Sequence, residues 1–325
     1  MFLRISSLKR RRCNLDIIFM GTPDFSVPSL AALDDRHGVK LVVAQPDKEK
    51  GRGKKVLFPP VKEEALKRGI RVIQPSKLRT DIGAIEEMRA LKPDFIVVVA
   101  YGQILSEEVL SIPKYGCVNL HASLLPKLRG AAPINWAIIE GHEKTGNTTM
   151  LMEKGLDTGP MLLRDEVEIG ESMTAGELHD LLSQRGAELL LRTIDGIASG
   201  TIKPETQDND SHTYAPMLKK ETGLIDWTKG AVEIERLIRG LAPSPGAYSF
   251  IGDDQVKLLE AKVMKETPGK PGEIMEVSKS GLLVSTGNGS LSIQKVQYPN
   301  KKPMAIRDFL NGNKIDATEF KGGLL

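Results

Sequence analysis

Asn119 and His121 stand two residues apart at the end of an apolar run, GCVNL (116–120) and the histidine that follows it. In a strand that spacing projects both side chains to one face. An amide is a neutral hydrogen-bond donor, and an imidazole is a donor or proton carrier near pH 7. Side by side they can stabilise negative charge developing on a carbonyl oxygen. A third group, Asp157, lies in Gly155-Leu156-Asp157-Thr158-Gly159, between glycines that let backbone approach backbone closely. Taken singly, the histidine reads equally as a hydrogen-bonded structural group and the aspartate as one satisfying its own turn. Drawn together, Asn, His and Asp make a non-covalent acyl-transfer site. Such a site suits an acceptor that brings its own nucleophile, such as an amine, and needs no Ser or Cys nucleophile.

A second kind of chemistry is offered by Lys48-Glu49-Lys50-Gly51-Arg52-Gly53-Lys54-Lys55, with five bases, one acid and two glycines. A flexible basic segment can follow the phosphates of a curved polyanion, and the same composition also suits a solvated loop. The segment GTPDF (21–25) sits where a dinucleotide site would lie, after a strand and before a helix. It lacks the second and third glycines of G-x-G-x-x-G, and Pro23 removes a backbone N–H that a pyrophosphate would use. An NAD(P)-dependent oxidoreductase is therefore disfavoured. His37, His142, His179 and His212 show no metal-ligand spacing, so no metal is expected.

These groups need a frame. LDIIFM (15–20), VKLVVA (39–44), RVIQ (71–74) and DFIVVVA (94–100) are apolar, β-branched runs. They alternate with the helical spacings of 27–35, 61–69 and 84–92. Strands apolar on both faces and separated by helices predict an α/β fold with a Rossmann-like, doubly wound, mostly parallel sheet. In such a sheet ligands bind beyond the carboxyl ends of the strands. GTPDF, YGQIL (101–105), HASLLPKLRG (121–130) and EKGLDTG (153–159) are expected to be loops at those ends. A helix at 131–141, a strand at 148–152 and a long helical pattern at 173–200 follow. The polar segment 201–216 reads as a linker. Beyond a helix at 231–240, short strand patterns at 255–264, 272–277, 281–286 and 290–297 predict a small OB-like β-barrel.

Composition bounds the rest. The chain has 325 residues with 45 Lys+Arg against 42 Asp+Glu, a net charge of +3, so nucleic-acid contact must rely on local patches. With 40% hydrophobic and 27% charged residues it is globular, and its length suits two domains. No apolar run reaches the roughly 20 residues that span a bilayer. Two cysteines, Cys13 and Cys117, exclude a disulfide framework and fit a cytoplasmic, reducing compartment. Residues 1–14, with Arg4, Lys9, Arg10, Arg11 and Arg12 and no acid, read as a basic extension and not as a secretory signal.

GTPDFSVPSL, AQPDKEKGRGKK, VVAYGQIL, CVNLHASLLPKLRGAAPI and GLDTGPML, in this order, closely resemble the methionyl-tRNA formyltransferase family. The resemblance covers roughly residues 15–325 and is weaker in the C-terminal third. It implies formyl transfer from 10-formyltetrahydrofolate to the α-amine of methionine on initiator tRNA. It places catalytic roles on Asn119, His121 and Asp157, and tetrahydrofolate binding on Ser123, Leu124, Leu125 and Pro126. Arg52, Lys54 and Lys55 take the part of a tRNA-binding loop. The implied organisation is an extension at 1–14, a catalytic domain at 15–200, a linker at 201–217 and a barrel domain at 218–325 that helps hold tRNA, in a monomer. The alternative is another enzyme using the same folate, one that formylates an amino-sugar nucleotide or hydrolyses formyltetrahydrofolate. The GRGKK loop argues for tRNA.

Overall fold

The computed structural model describes residues 15–50, 55–265 and 269–322. Along the chain, β1 (Ile17–Gly21) leads into α1 (Val27–Arg36) and β2 (Val39–Val43). The short strands β3 (Lys48–Lys50) and β4 (Lys55–Leu57) pair antiparallel as a hairpin, where the sequence suggested only a loop. Next come α2 (Pro60–Lys67), β5 (Val72–Ile73), α3 (Ile82–Ala90), β6 (Phe95–Val99), α4 (Glu107–Leu110) and β7 (Cys117–His121). After β8 (Arg129–Gly130) and α5 (Pro133–Ile139), β9 (Lys144–Leu151) and β10 (Met161–Glu168) precede the long helix α6 (Ala175–Ala198).

Seven of these strands form one sheet in the order β10-β9-β7-β6-β1-β2-β5. The pairs β1–β2, β1–β6, β2–β5 and β6–β7 are parallel, and β7–β9 is antiparallel. Every residue of β1 and β6 is buried, as expected of central strands covered on both faces. The mostly parallel Rossmann-like sheet predicted from the apolar runs is therefore present.

Residues 15–125, 147–165 and 182–209 form one compact unit, and 126–146, 166–181 and 210–322 form a second. In the first, α6 approaches β7 where glycine permits it. A Cβ on Gly186 would lie 2.6 Å from Cδ2 of Leu120, the residue between Asn119 and His121. Asn147 of β9, fully buried, donates to the Leu182 carbonyl at 2.9 Å and ties β9 to the same helix.

In the second unit, β11 (Tyr214–Ala215) pairs parallel with β8. The helix α7 (Ala231–Leu241) is followed by β12 (Ala247–Ile251), β13 (Asp254–Met264), β14 (Ile274–Ser278), β15 (Gly281–Ser285), β16 (Ser290–Gln297), β17 (Met304–Ala305) and α8 (Ile306–Phe309). Helix α7 carries Ile234, Ile238 and Leu241 at helical spacing. They join Val256, Leu258, Leu282, Val284 and Ile293 of the strands in one core. Glu233 accepts from the Gly230 N–H at 3.2 Å and closes the helix start. The antiparallel sheet runs β12-β13-β16-β15-β14, with β17 on β16.

That path is open, and no closed barrel is found among the described residues. The edges β12 and β14 share no ladder with each other. Residues 318–321 lie along both: Phe250 and Lys321 exchange backbone bonds at 3.0 and 2.8 Å, while the Phe320 N–H donates to Gly272 and the Ile274 N–H to Thr318, each at 2.8 Å. Trp227 stacks on Phe320 with ring centroids 5.3 Å apart. Among the described residues no helix is long and apolar enough to cross a membrane.

Because α6 closes on β7 at Gly186, Gly186→Val should cost roughly 1–3 kcal/mol by overpacking against Leu120. Urea unfolding monitored by circular dichroism measures it.

Candidate active site

Strand β7 sets Asn119 and His121 on one face, as their spacing predicted, near its carboxyl end. His121 is 6% exposed and Asn119 half-buried. Asp157 is brought to the histidine: its Oδ2 lies 3.6 Å from His121 Nδ1. That separation slightly exceeds a hydrogen bond, in the range that closes when a substrate orders a site. Imidazole and carboxylate form a sheltered pair, with the Asn119 amide on the same face of the strand.

How Asp157 arrives there differs from expectation. Its loop was placed at the carboxyl edge of the sheet, but β9 runs antiparallel to β7. Val118 pairs with Leu151 and His121 with Thr148. The loop therefore starts at the opposite end, where the Met152 N–H donates to the Cys117 carbonyl at 2.8 Å. To reach His121 it must fold back along the sheet. Glycine makes the fold tight: a Cβ on Gly159 would sit 1.8 Å from the Leu151 carbonyl oxygen. Asp157 itself has φ +53°, in the left-handed region that Asp tolerates better than most residues. From the polar segment beyond α6, Gln207 donates to the carbonyls of Asp157 and Gly159 at 2.8 and 2.7 Å.

The loop after β7 is fixed by Thr148, the register partner of His121. Its Oγ1 donates to the Ser123 carbonyl at 2.7 Å and accepts from the Leu125 N–H at 3.1 Å. Ser123 is fully buried, and Leu125 packs with Met150 and Met161. Leu124 and Pro126 are half-buried, and Pro126 is assigned to the second compact unit. The neighbouring 101–105 loop leaves parallel β6 at the same edge as His121 and is held by side chains. Thr22 Oγ1 and Gln45 Nε2 donate to the Tyr101 carbonyl at 3.0 and 3.1 Å. Gln103 accepts from the Leu78 N–H at 2.8 Å and donates to the Pro75 carbonyl at 3.1 Å. Next to Gln103, Ile104 is 83% exposed.

Cys117, two residues before Asn119, is not a nucleophile. Burial pushes its thiol up to about 12, so no appreciable thiolate forms near neutrality. Burial likewise raises the Tyr101 phenol to about 12. Among the described residues no group of three His, Cys, Asp or Glu side chains is placed to hold a metal ion.

Of the basic segment, Arg52 and Lys54 lie outside the described residues, and Lys55 opens β4. The root of its hairpin is described. Lys62 Nζ donates to both Asp47 oxygens at 2.9 and 2.7 Å and to Gln74 Oε1 at 2.7 Å. Hydrogen bonds from Lys62 and Gln74 hold the Asp47 carboxyl below its ordinary range. Sequence reasoning missed Thr148 and Gln207. Thr148 carries no distinguishing signal, since β9 also holds Thr145, Asn147 and Thr149, and Gln207 sits in a stretch that is mostly polar.

Two family models place this architecture. Residues 15–194 match the formyl transferase model, and 217–314 match the formyl transferase C-terminal domain. The chain belongs to the formyl transferase family. Within that family, a relative from Clostridium botulinum named methionyl-tRNA formyltransferase is 57% identical over 93% of this chain and 98% of its own length. Among solved structures, the N-formyltransferase of Helicobacter canadensis in complex with folinic acid and dTDP-3-aminofucose superposes with TM-score 0.66 at 21% identity. The match covers 86% of this chain and 98% of that one. HypX from Aquifex aeolicus gives TM-score 0.63 at 20% identity over 93% of this chain. This chain spans about half of HypX, 49% of its length. Both likenesses concern the fold.

Thr148→Val removes both bonds that hold the 123–125 loop in a buried setting. It should cost about 1–3 kcal/mol, checked by thermal and urea unfolding.

Proposed function

We propose that this protein transfers a formyl group from 10-formyltetrahydrofolate to the α-amino group of methionine on initiator tRNA. The observation that carries the reading is the placing of Asn119 and His121 on one face of β7, with Asp157 Oδ2 3.6 Å from His121 Nδ1, in a chain so close to the Clostridium botulinum relative. The attacking group is the amine of an aminoacyl ester. The adjacent ester lowers the pKa of the ammonium, so neutral amine is available near pH 7. Attack on the formyl carbon turns the carbonyl oxygen into an oxyanion. Asn119 and His121 donate to it, each such donor typically being worth roughly 3–4 kcal/mol. Asp157 orients His121 and takes up the proton that the amine loses. The same proton is then available to the departing folate nitrogen.

Folate binding falls to Ser123, Leu124, Leu125 and Pro126 with the 101–105 loop. In support, exposed Ile104 lies on a loop leaving the same sheet edge as His121 and offers an apolar surface to a flat aromatic co-substrate. Arg52, Lys54 and Lys55 contact tRNA phosphates. Residues 201–217 join the catalytic domain at 15–200 to the tRNA-binding domain at 218–325, and the segment 1–14, read as a basic extension, lies outside the described residues. That tRNA-binding domain acts as an OB-like barrel, a reading supported by residues 318–321 lying along both edges of its sheet. The enzyme acts as a cytoplasmic monomer.

The test is formyl transfer to charged initiator tRNA, with formyl-methionine read by mass spectrometry after deacylation. Elongator methionyl-tRNA is the control. Formylation of the initiator alone is expected. Folate-dependent formate release or amino-sugar formylation in its place would overturn the tRNA acceptor. Asp157→Asn should lower kcat by about 10²–10⁴-fold with tRNA affinity unchanged; near-normal turnover would remove Asp157 from the mechanism. Arg52→Ala should raise KM for tRNA and reduce the salt slope of binding by about 1, with folate binding intact. An unchanged KM would make the basic segment a solvated face.

A further inference from the structure

Gln207 belongs to a stretch whose composition, TIKPETQDNDSH, marks it only as polar. Its placement is nonetheless specific. Met161 of β10 and Glu205 form a lone antiparallel rung, exchanging both backbone bonds at 2.8 Å, and Arg164 adds a 3.0 Å bond to the Glu205 carboxylate. Two residues along, that register sets Gln207 opposite Gly159. The side chain is 4% exposed, and its amide nitrogen reaches the Asp157 carbonyl at 2.8 Å and the Gly159 carbonyl at 2.7 Å. A primary amide nitrogen carries two hydrogens, and both are used on these acceptors. The orientation is unambiguous, since the amide oxygen would be repelled by two carbonyls.

The loop it grips has need of an anchor. Residues 153–156 are exposed, Leu156 to 61%, and Asp157 sits at φ +53°. The backbone of Asp157 must fold back from the Cys117 end of β7 to present its carboxylate to His121. Gln207 grips the chain on both sides of Thr158, at the point where that return is made.

We propose that Gln207 is a positioning residue for formyl transfer, holding the Asp157 backbone so that the carboxylate meets His121. The inference rests on the reading of Asp157 as the proton acceptor. Gln207→Leu keeps the volume and removes both donors. At saturating substrates it should lower kcat by about 10- to 100-fold, the cost of misplacing a catalytic group by about an ångström. The Kd for tetrahydrofolate, read by fluorescence quenching, should stay within two-fold of that of the unsubstituted protein, roughly the scatter of such comparisons. Gln207→Glu is the second variant and serves if the first does not fold. As a carboxylate it opposes the two carbonyls, and as a carboxylic acid it restores one donor. Its kcat relative to the unsubstituted enzyme should therefore rise as pH falls.

A residue acting through Asp157 has a further signature, read in single-turnover assays. In an Asp157→Asn background, Gln207→Leu should add little, whereas a purely structural role would multiply the two losses. Unchanged kcat in the Gln207 variants, a Gln207→Glu ratio flat with pH, or independent losses in the double variant would overturn the proposal while Asp157→Asn is impaired. Full turnover by Asp157→Asn alone would overturn the reading of Asp157 and this inference with it.

Discussion

The antiparallel pairing of β7 with β9 is the constraint on which the candidate site depends. The strand that carries Asn119 and His121 is parallel to β6 on one side, so its carboxyl end joins the sheet edge where α/β proteins bind ligands. On its other side the direction reverses, and Thr148 falls opposite His121. One hydroxyl from that position fixes the loop that follows the histidine. The same reversal sends the chain after β9 away from the site. The Asp157 loop then has to double back, and this accounts for its glycines, its left-handed residue and the amide that grips it.

Side-chain bonds to backbone anchor the loops of the site, beside the apolar packing of Tyr101, Leu105 and Leu125. Thr22, Gln45 and Gln103 anchor the 101–105 loop, Thr148 the 123–125 loop and Gln207 the 157–159 loop. A loop at a sheet edge has few neighbours to pack against, while its carbonyls and N–H groups still demand partners. Amides and hydroxyls, buried at Thr148 and Gln207 and half-buried at Thr22, Gln45 and Gln103, meet that demand with defined geometry. They also leave Ile104 and Leu156 exposed at the loop tips. A frame anchored at its roots with apolar residues at its tips suits a co-substrate that is flat and partly aromatic.

The second unit is organised differently. The amphipathic helix α7 lays isoleucines and a leucine into an antiparallel sheet, and the last described residues run along both sheet edges. Trp227 links these features: it stacks on Phe320, and its indole N–H donates to Ser249 Oγ at 2.9 Å. Ser249 in turn donates to the Lys321 carbonyl at 2.9 Å, which adds a side-chain bond to the backbone pairing at the β12 edge.

By itself the sequence determined the alternation of strands and helices, because fully buried parallel strands must be apolar on both faces and those runs are unmistakable in IIFMG and FIVVV. It also determined that Asn119 and His121 share a face, since a strand alternates with period two. The hairpin at 48–57 and strand β12 escaped it, because strands of three to five residues are too short to show a period. Tertiary structure alone decided the direction of β9, and with it the route of the Asp157 loop and the role of Thr148. It also decided where Gln207 stands. A polar residue in a polar stretch carries no local signal, and its partners lie 48 and 50 residues away in the chain. The open path of the second sheet was likewise hidden, because spacing gives the strands but not whether the first and last of them pair.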